Sequence, residues 1–124
     1  MSSKATFDDL IRLKLRREER MEQLVDLPVE SLGKTLQFKA PTRDEQLDFI
    51  EGVRRAGGVN GSYDAYRQLV YSCCPMLHDS ELHKELGVTD PCDTVDKLFG
   101  PVEVMSIGDK LAEKFMAMGT DIKN

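Results

Sequence analysis

The run Gly33-Lys34-Thr35 is the one stretch of this chain that could pass for a catalytic signature, because a nucleotide phosphate-binding loop ends in the same three residues. Such a loop also requires a glycine five positions earlier, so that backbone amides can wrap the phosphates, and it opens directly into a helix. Position 28 is instead Pro28, which has no amide to donate. Apolar and polar residues alternate after Thr35, as in a strand. The sequence therefore argues against a nucleotide hydrolase.

The same stretch predicts a β-hairpin. Val29 and Ser31 are assigned to one arm and residues 35–40 to the other. Gly33 lies between the arms, where a tight turn requires a positive φ that glycine adopts without strain.

Two cysteines and two histidines form the second candidate for chemistry: Cys73, Cys74, His78 and His83. Zinc sites usually contain pairs of ligands separated by two to four residues, and the spacing C-C-x3-H-x4-H does not match that pattern. A Cys-His nucleophile pair requires an orienting group and a cleft, which a sequence does not show. We favour buried thiols beside two surface histidines, and we assign no catalytic residue, metal or cofactor.

Basic residues form a third candidate site on the first helix, where Arg12, Arg16 and Arg20 recur every four positions. Nucleic acid could bind such a stripe, but residues 1–25 contain six basic and five acidic side chains, a balance of +1. We favour a solvated helix supported by ion pairs, with a partner-docking surface as the alternative. The net charge of −5 also disfavours duplex DNA and anionic membranes.

Methionines cluster late in the chain, where Met105, Met116 and Met118 accompany Phe115. Flexible thioethers suit a surface that accepts a poorly ordered partner. The spacing is also helical, which favours a place in the core. Both interpretations stay open at this point.

The composition predicts one domain of 124 residues with an aliphatic core, since 40% of the residues are apolar and 6% are aromatic. The three cysteines predict no disulfide framework. The N-terminal residues do not resemble a signal peptide, and no apolar run is long enough to span a membrane. We therefore expect a cytoplasmic protein with reduced thiols and no membrane association.

The elements that would position these groups are mainly helices. Capping boxes are predicted at Thr6 with Asp9 and at Thr42 with Glu45. The predicted fold class is mainly α (α+β), with five or six short helices and one small N-terminal hairpin. Residues 1–26 form a charged N-terminal helix that runs to about residue 25, and residues 27–124 form a hairpin plus helical domain, within a single globular unit.

The remaining helices are bounded by caps, glycines and prolines. The second helix begins near Arg43, points Leu47, Ile50 and Val53 inward, and ends before Gly57. The others are predicted from a cap at Ser62 to Pro75, from Asp79 or Ser80 to Gly87, from Asp90-Pro91 to Gly100, and from Pro101 to about Met118.

Read in order, these landmarks resemble the tail assembly chaperones that long-tailed phages and prophages of Gram-positive bacteria encode, particularly the contractile-tailed type. The resemblance covers roughly residues 27–119. Its landmarks are the LGKTLQF hairpin, Pro41-Thr42 with Glu45, the helix Tyr66 to Tyr71, Pro75 to Leu82, Leu86-Gly87-Val88, Pro91, and Leu98 to Val104.

The resemblance implies a non-enzymatic protein that binds the tape measure protein in the host cytoplasm and keeps it soluble. It also implies that the chaperone helps to recruit tail tube subunits and is not part of the mature particle. Self-association into a homo-oligomer is a further expectation. Two alternatives stay open: a small nucleic-acid-binding regulator that uses the Arg12, Arg16 and Arg20 face, and a cryptic hydrolase that uses Lys34 or Cys74.

Overall fold

The computed structural model describes residues 3–116. It confirms the predicted fold class, mainly α with a small hairpin near the N-terminus. Within the described residues the elements are α1 (Phe7–Glu22), β1 (Leu24–Val29), β2 (Lys34–Lys39), α2 (Arg43–Arg55), α3 (Val59–Cys73), a 3-10 turn (Pro75–His78), α4 (Ser80–Leu86), α5 (Asp93–Leu98) and α6 (Pro101–Met116).

The hairpin is present, but its first arm was predicted in the wrong place. β1 pairs antiparallel with β2 from Leu24 opposite Lys39 to Val29 opposite Lys34. Ser31, predicted to lie on the first arm, instead belongs to the four-residue turn. Gly33 closes that turn with a φ of 65°, as its position predicted.

The first helix is shorter than predicted. α1 ends at Glu22, and Gln23 is already extended, with a ψ of 136°. The prediction was wrong because Val25 and Leu27 belong to β1, where they pair with Phe38 and Leu36. β1 therefore runs across the predicted boundary between residues 26 and 27.

The capping box at the start of α2 is confirmed: Thr42 Oγ1 accepts from the Glu45 amide at 3.2 Å, and the Thr42 amide donates to Glu45 Oε1 at 2.8 Å. The predicted inward face was partly wrong, because Leu47 is 54% exposed and Phe49 is the buried residue of this helix. Ile50 and Val53 are half-buried, as the helical spacing requires if the buried stripe is centred on Phe49.

Two other helix starts differ from the prediction. α3 begins at Val59 after Gly58, so Ser62 lies inside the helix, where its amide donates to the Gly58 carbonyl at 3.2 Å. α5 begins at Asp93 and not at Pro91, because the Asp90 side chain first caps a turn by accepting from the Cys92 amide at 3.0 Å.

The remaining boundaries agree with the sequence. Asp79 caps α4 by accepting from the Glu81 amide at 2.8 Å, and Gly87 ends it in the left-handed conformation with a φ of 68°. α6 begins at Pro101, while the predicted end at Met118 lies outside the described residues.

The central element is α3, which packs against α2, α5 and α6. The hairpin covers one end of this layer, with β1 against α6 and β2 against the 3-10 turn. Ser31 links the hairpin turn to α6. Its hydroxyl donates to Glu103 Oε1 at 2.7 Å, and its amide donates to Glu103 Oε2 at 3.1 Å. Most of the fully buried side chains come from the hairpin, α3, α5 and α6, and they include Val29, Phe38, Val70, Val95, Val104 and Leu111.

The described helices include none that is long and apolar enough to cross a membrane.

Candidate partner-binding surface

The surface of α1 is the most unusual feature of the described structure. Residues Phe7–Glu22 include no buried position, although the helix carries six large apolar side chains. Phe7 is 76% exposed, Leu10 is 59% exposed and Ile11 is 41% exposed. The other three exposed side chains are Leu13, Leu15 and Met21. A helix whose large apolar side chains are left exposed to solvent is a candidate for contact with another molecule.

The apolar side chains of α1 share a face. At ~100° per residue, Phe7, Leu10, Ile11 and Met21 fall within one third of the helix circumference. We call this set the α1 apolar face. Leu13 and Leu15 lie on its two flanks.

An ion pair crosses the α1 apolar face. Lys14 and Glu18 are one turn apart on that face, and Lys14 Nζ lies 3.2 Å from Glu18 Oε2. Both side chains are exposed, so the pair contributes little to stability in the free protein. It does place both charge signs in the middle of an apolar surface.

The helix is formed by local signals. Thr6 Oγ1 accepts from the Asp9 amide at 3.2 Å, and the Thr6 amide donates to Asp9 Oδ2 at 2.8 Å. The Thr6 amide, and next the Arg12 guanidinium, hold the pKa of Asp9 below its usual value. A capped helix of 16 residues without tertiary packing is marginal in water. Covering its apolar face would therefore stabilise the helix as well as the contact.

The predicted arginine stripe lies on the opposite side of α1. Arg12, Arg16 and Arg20 are all exposed. Arg12 pairs with Asp9 across 2.6 Å. The sequence interpretation of a solvated helix supported by neighbouring ion pairs fits this geometry, and Arg16 and Arg20 face solvent beside Arg12.

The structure divides the predicted methionine cluster between core and surface. Phe115 is 4% exposed and lies in the core, where a partner could not reach it without local opening. Met116 is half-buried against the core, and Met105 is half-buried and lines an open groove of about 460 Å³ on α6. Met118 lies outside the described residues. The helical spacing thus indicated the core for Phe115.

The cysteines and histidines do not form a common site. Cys73 and Cys74 are buried. Burial, and next the charge of Glu45, raises the pKa of the Cys73 thiol to about 12, and burial raises the pKa of Cys74. Both therefore stay protonated at neutral pH and are poor nucleophiles.

The two histidines form hydrogen bonds to backbone carbonyls in and beside the 3-10 turn that follows α3. Nε2 of His78 donates to the Tyr71 carbonyl at 2.7 Å, and Nε2 of His83 donates to the Leu77 carbonyl at 2.7 Å. The His78 ring also stacks on Tyr71, with the ring centroids 4.4 Å apart. Residues 3–116 contain no group of three or more His, Cys, Asp or Glu side chains arranged to hold a metal ion.

The run Gly33-Lys34-Thr35 lies in the hairpin, with Lys34 and Thr35 at the start of β2. A phosphate-binding loop would need the same residues to open a helix. The local geometry therefore differs from that of such a loop.

Sequence reasoning missed one charged cluster. Arg67 of α3 lies 2.6 Å from Asp64, 2.8 Å from Asp96 and 3.2 Å from Asp93, and Tyr63 donates its hydroxyl to Asp96. Burial lowers the pKa of Arg67, but its hydrogen bonds to Asp96 and Asp64 outweigh that effect and raise it. The cluster joins α3 to α5. Only the Asp64 and Arg67 spacing, three residues apart on one helix, was visible in the sequence.

Comparison of the chain with protein-family models, with curated proteins and with solved structures finds no match.

Proposed function

We propose that this protein is a phage or prophage tail assembly chaperone that binds and solubilises the tape measure protein and helps to recruit tail tube subunits. The observation that carries the proposal is the uncovered α1 apolar face on a domain whose other helices are packed. A small protein that offers one amphipathic helix to solvent is suited to binding a long helical client through helix-in-groove contacts.

The sequence landmarks that resemble the family support the proposal, and three of them have a defined structural role in this chain. Gly33 forms the hairpin turn, Thr42 and Glu45 form a capping box, and Gly87 ends a helix in the left-handed conformation. These three landmarks form a turn, a helix start and a helix end.

Co-expression tests the proposal. The tape measure protein encoded beside this chain is produced in a bacterial host with and without the chain, and the soluble fraction of the tape measure is measured. We expect the chain to increase that fraction several-fold and to co-purify with the tape measure on an affinity tag. An unchanged soluble fraction without co-purification contradicts the proposal.

The proposal includes a place and a time of action. The chain acts in the host cytoplasm and leaves before the particle is complete, without a cofactor. Mass spectrometry of purified particles checks this: tail tube and tape measure peptides are expected without peptides of this chain. Peptides of the chain at stoichiometric abundance in mature particles contradict its release.

The exposure of Arg12, Arg16 and Arg20 on one face of α1 favours a second candidate, a nucleic-acid-binding regulator. Its affinity for nucleic acid should fall steeply with salt and collapse when all three arginines are changed to alanine. A matched control removes three exposed basic residues elsewhere, namely Arg43, Arg54 and Lys110. Binding that responds equally to both triple changes, or not at all to salt, removes this candidate.

A further inference from the structure

Residues 11–16 follow the sequence pattern of a strand, although they lie in the helix α1. Three apolar side chains alternate there with three basic ones: Ile11, Leu13 and Leu15 with Arg12, Lys14 and Arg16. In a strand, such alternation separates an apolar face from a charged face. A helix separates these side chains poorly, because ~100° per residue turns Leu13 ~160° away from Ile11 and leaves Lys14 within the α1 apolar face. The segment is therefore suited to two conformations.

The rest of the fold does little to hold this segment in the helix. No residue of α1 is buried by the rest of the described chain, and the helix begins at its own capping box. Ile11, Leu13 and Leu15 are 41%, 51% and 50% exposed. A helix of this length without tertiary packing is marginal in water. A conformation that buries the three apolar side chains can therefore compete with it.

The outer edge of β1 is the place where such a strand fits. Within the described residues the sheet has two strands, so β1 pairs with β2 on one edge and with no strand on the other. Phe38 and Leu36 of β2 are 0% and 9% exposed, whereas Val25 and Leu27 opposite them are half-buried. The apolar face of the hairpin is thus covered less completely on its β1 side. A third strand would extend that face, and three strands are more stable than two.

The length of the chain permits an antiparallel pairing in which residues 17–23 form the connecting loop. One register sets apolar residues opposite each other: Leu15 and Val25, Leu13 and Leu27, and Ile11 and Val29. The same register sets Lys14 opposite the exposed Asp26 on the other face. Pro28 has no amide to donate, so the complete backbone ladder is limited to residues 24–27. Side chains and charges therefore agree on this pairing.

We propose that residues 11–16 are a conformational switch, which alternates between the helix α1 and a third strand paired with β1. The strand is the closed state, because it covers Val25 and Leu27 and dismantles the α1 apolar face: Leu10 and Ile11 then point to opposite sides. The helix is the open state, in which that face is presented. This inference rests on the proposed function, since it adds a regulation to the face that receives the client. A bound client selects the helix.

Disulfide trapping in the intact chain detects the closed state. Leu13→Cys with Leu27→Cys sets two thiols opposite each other on one face of the extended sheet. Arg12→Cys with Leu27→Cys is the matched control, because a shift of one residue turns the first thiol to the other face. Both pairs also carry Cys92→Ser, since Cys92 is only half-buried. Under mild oxidation, we expect the first pair to form its intramolecular disulfide about tenfold faster than the control.

Substitutions at Leu15 shift the equilibrium between the two states. Leu15→Val favours a strand and Leu15→Ala favours a helix. Each is added to the pair Leu13→Cys with Leu27→Cys. We expect the valine variant to form the disulfide about threefold faster than the alanine variant, and to have the weaker circular dichroism signal at 222 nm. A static helix would change its signal without changing the rate of disulfide formation.

The wild-type chain provides a measurement without any substitution. The Cα chemical shifts of residues 11–16 should lie between the values of a helix and those of a strand, because the two states exchange. Fully helical shifts overturn the inference.

Equal disulfide formation in the two cysteine pairs, or rates that do not respond to the Leu15 substitutions, also overturn the inference. So does a disulfide that forms only between two chains, because a second copy then supplies the strand. These measurements use no tape measure protein. Failure of co-expression with selective disulfide formation therefore removes the proposed function alone, and co-purification without that selectivity removes this inference alone.

Discussion

A methyl group added at Gly108 of α6 should destabilise the fold, because the side chain of Tyr66 on α3 occupies the space that it would need. A Cβ built on Gly108 lies 2.3 Å from Cδ1 and 3.1 Å from Cε1 of Tyr66. The Tyr66 ring is held by two contacts: its hydroxyl donates to Asp109 at 2.6 Å, and the ring forms a T-shaped pair with Phe49, with the ring centroids 5.1 Å apart. The ring therefore cannot move aside without losing these contacts.

The magnitude follows from opposing effects. Overpacking a core costs ~1–3 kcal/mol, and displacing an aromatic pair costs a further ~0.5–1.5 kcal/mol. Alanine is favoured over glycine inside a helix by ~1 kcal/mol. We expect Gly108→Ala to lower the free energy of unfolding by about 2 kcal/mol, which for a domain of this size lowers Tm by roughly 5–10 °C.

Urea unfolding followed by circular dichroism at 222 nm measures the effect. Gly52→Ala is the matched control. A Cβ at Gly52 lies 3.0 Å from the Ala65 methyl group, and this substitution gains the same helix propensity as Gly108→Ala. We expect its cost to be well below that of Gly108→Ala. In a Tyr66→Ala background, Gly108→Ala should become neutral or stabilising. Gly108→Ala at or above wild-type stability, or a cost that persists without the ring, refutes the reasoning.

Three further predictions concern caps, the hairpin and pH. Thr42→Ala should lower the free energy of unfolding by about 1 kcal/mol, because it removes a helix cap. Thr6→Ala should reduce helicity without moving the urea midpoint, because α1 buries no residue. Equal shifts of the urea midpoint in the two variants contradict this. Ser31→Ala should cost roughly 0.5–1 kcal/mol by removing the hydroxyl bond to Glu103, and an unchanged midpoint in urea contradicts it. Because burial raises the pKa of Cys73 from 9.0 to about 12, the unfolded chain loses this proton first, so stability should fall as pH rises from 9 to 12; a urea midpoint that is constant from pH 8 to 11 contradicts this.

The sequence correctly predicted those features that depend on residues close to them in the chain. The Thr42 capping box, the turn at Gly33 and the left-handed Gly87 each depend on residues within a few positions. The same holds for α6, where proline begins the helix.

Two of the errors arose where distant residues decide the outcome. The helical pattern of α1 extends into Val25, but pairing of that residue with Phe38 turns it into a strand. Ser31 continues the alternation of a strand, yet its bonds to Glu103, 72 residues away, hold it in the turn. Propensity cannot anticipate such contacts.

The candidate surface was visible in the sequence only in part. The arginine stripe was evident in the sequence, and the spacing of Phe7, Leu10 and Ile11 is that of residues on one side of a helix. Their exposure could not be predicted, because the sequence does not show whether another element covers that side. Gly108 carried a weak signal, since a glycine inside a helix often marks a close approach, but its partner Tyr66 lies on another helix.

We propose that this chain holds the tape measure protein in solution, and co-purification after co-expression tests that function most directly. We predict that the tagged chain retrieves soluble tape measure protein, and that the tape measure produced without the chain sediments with the insoluble fraction. A tape measure protein that is equally soluble without the chain and does not bind it would contradict the account.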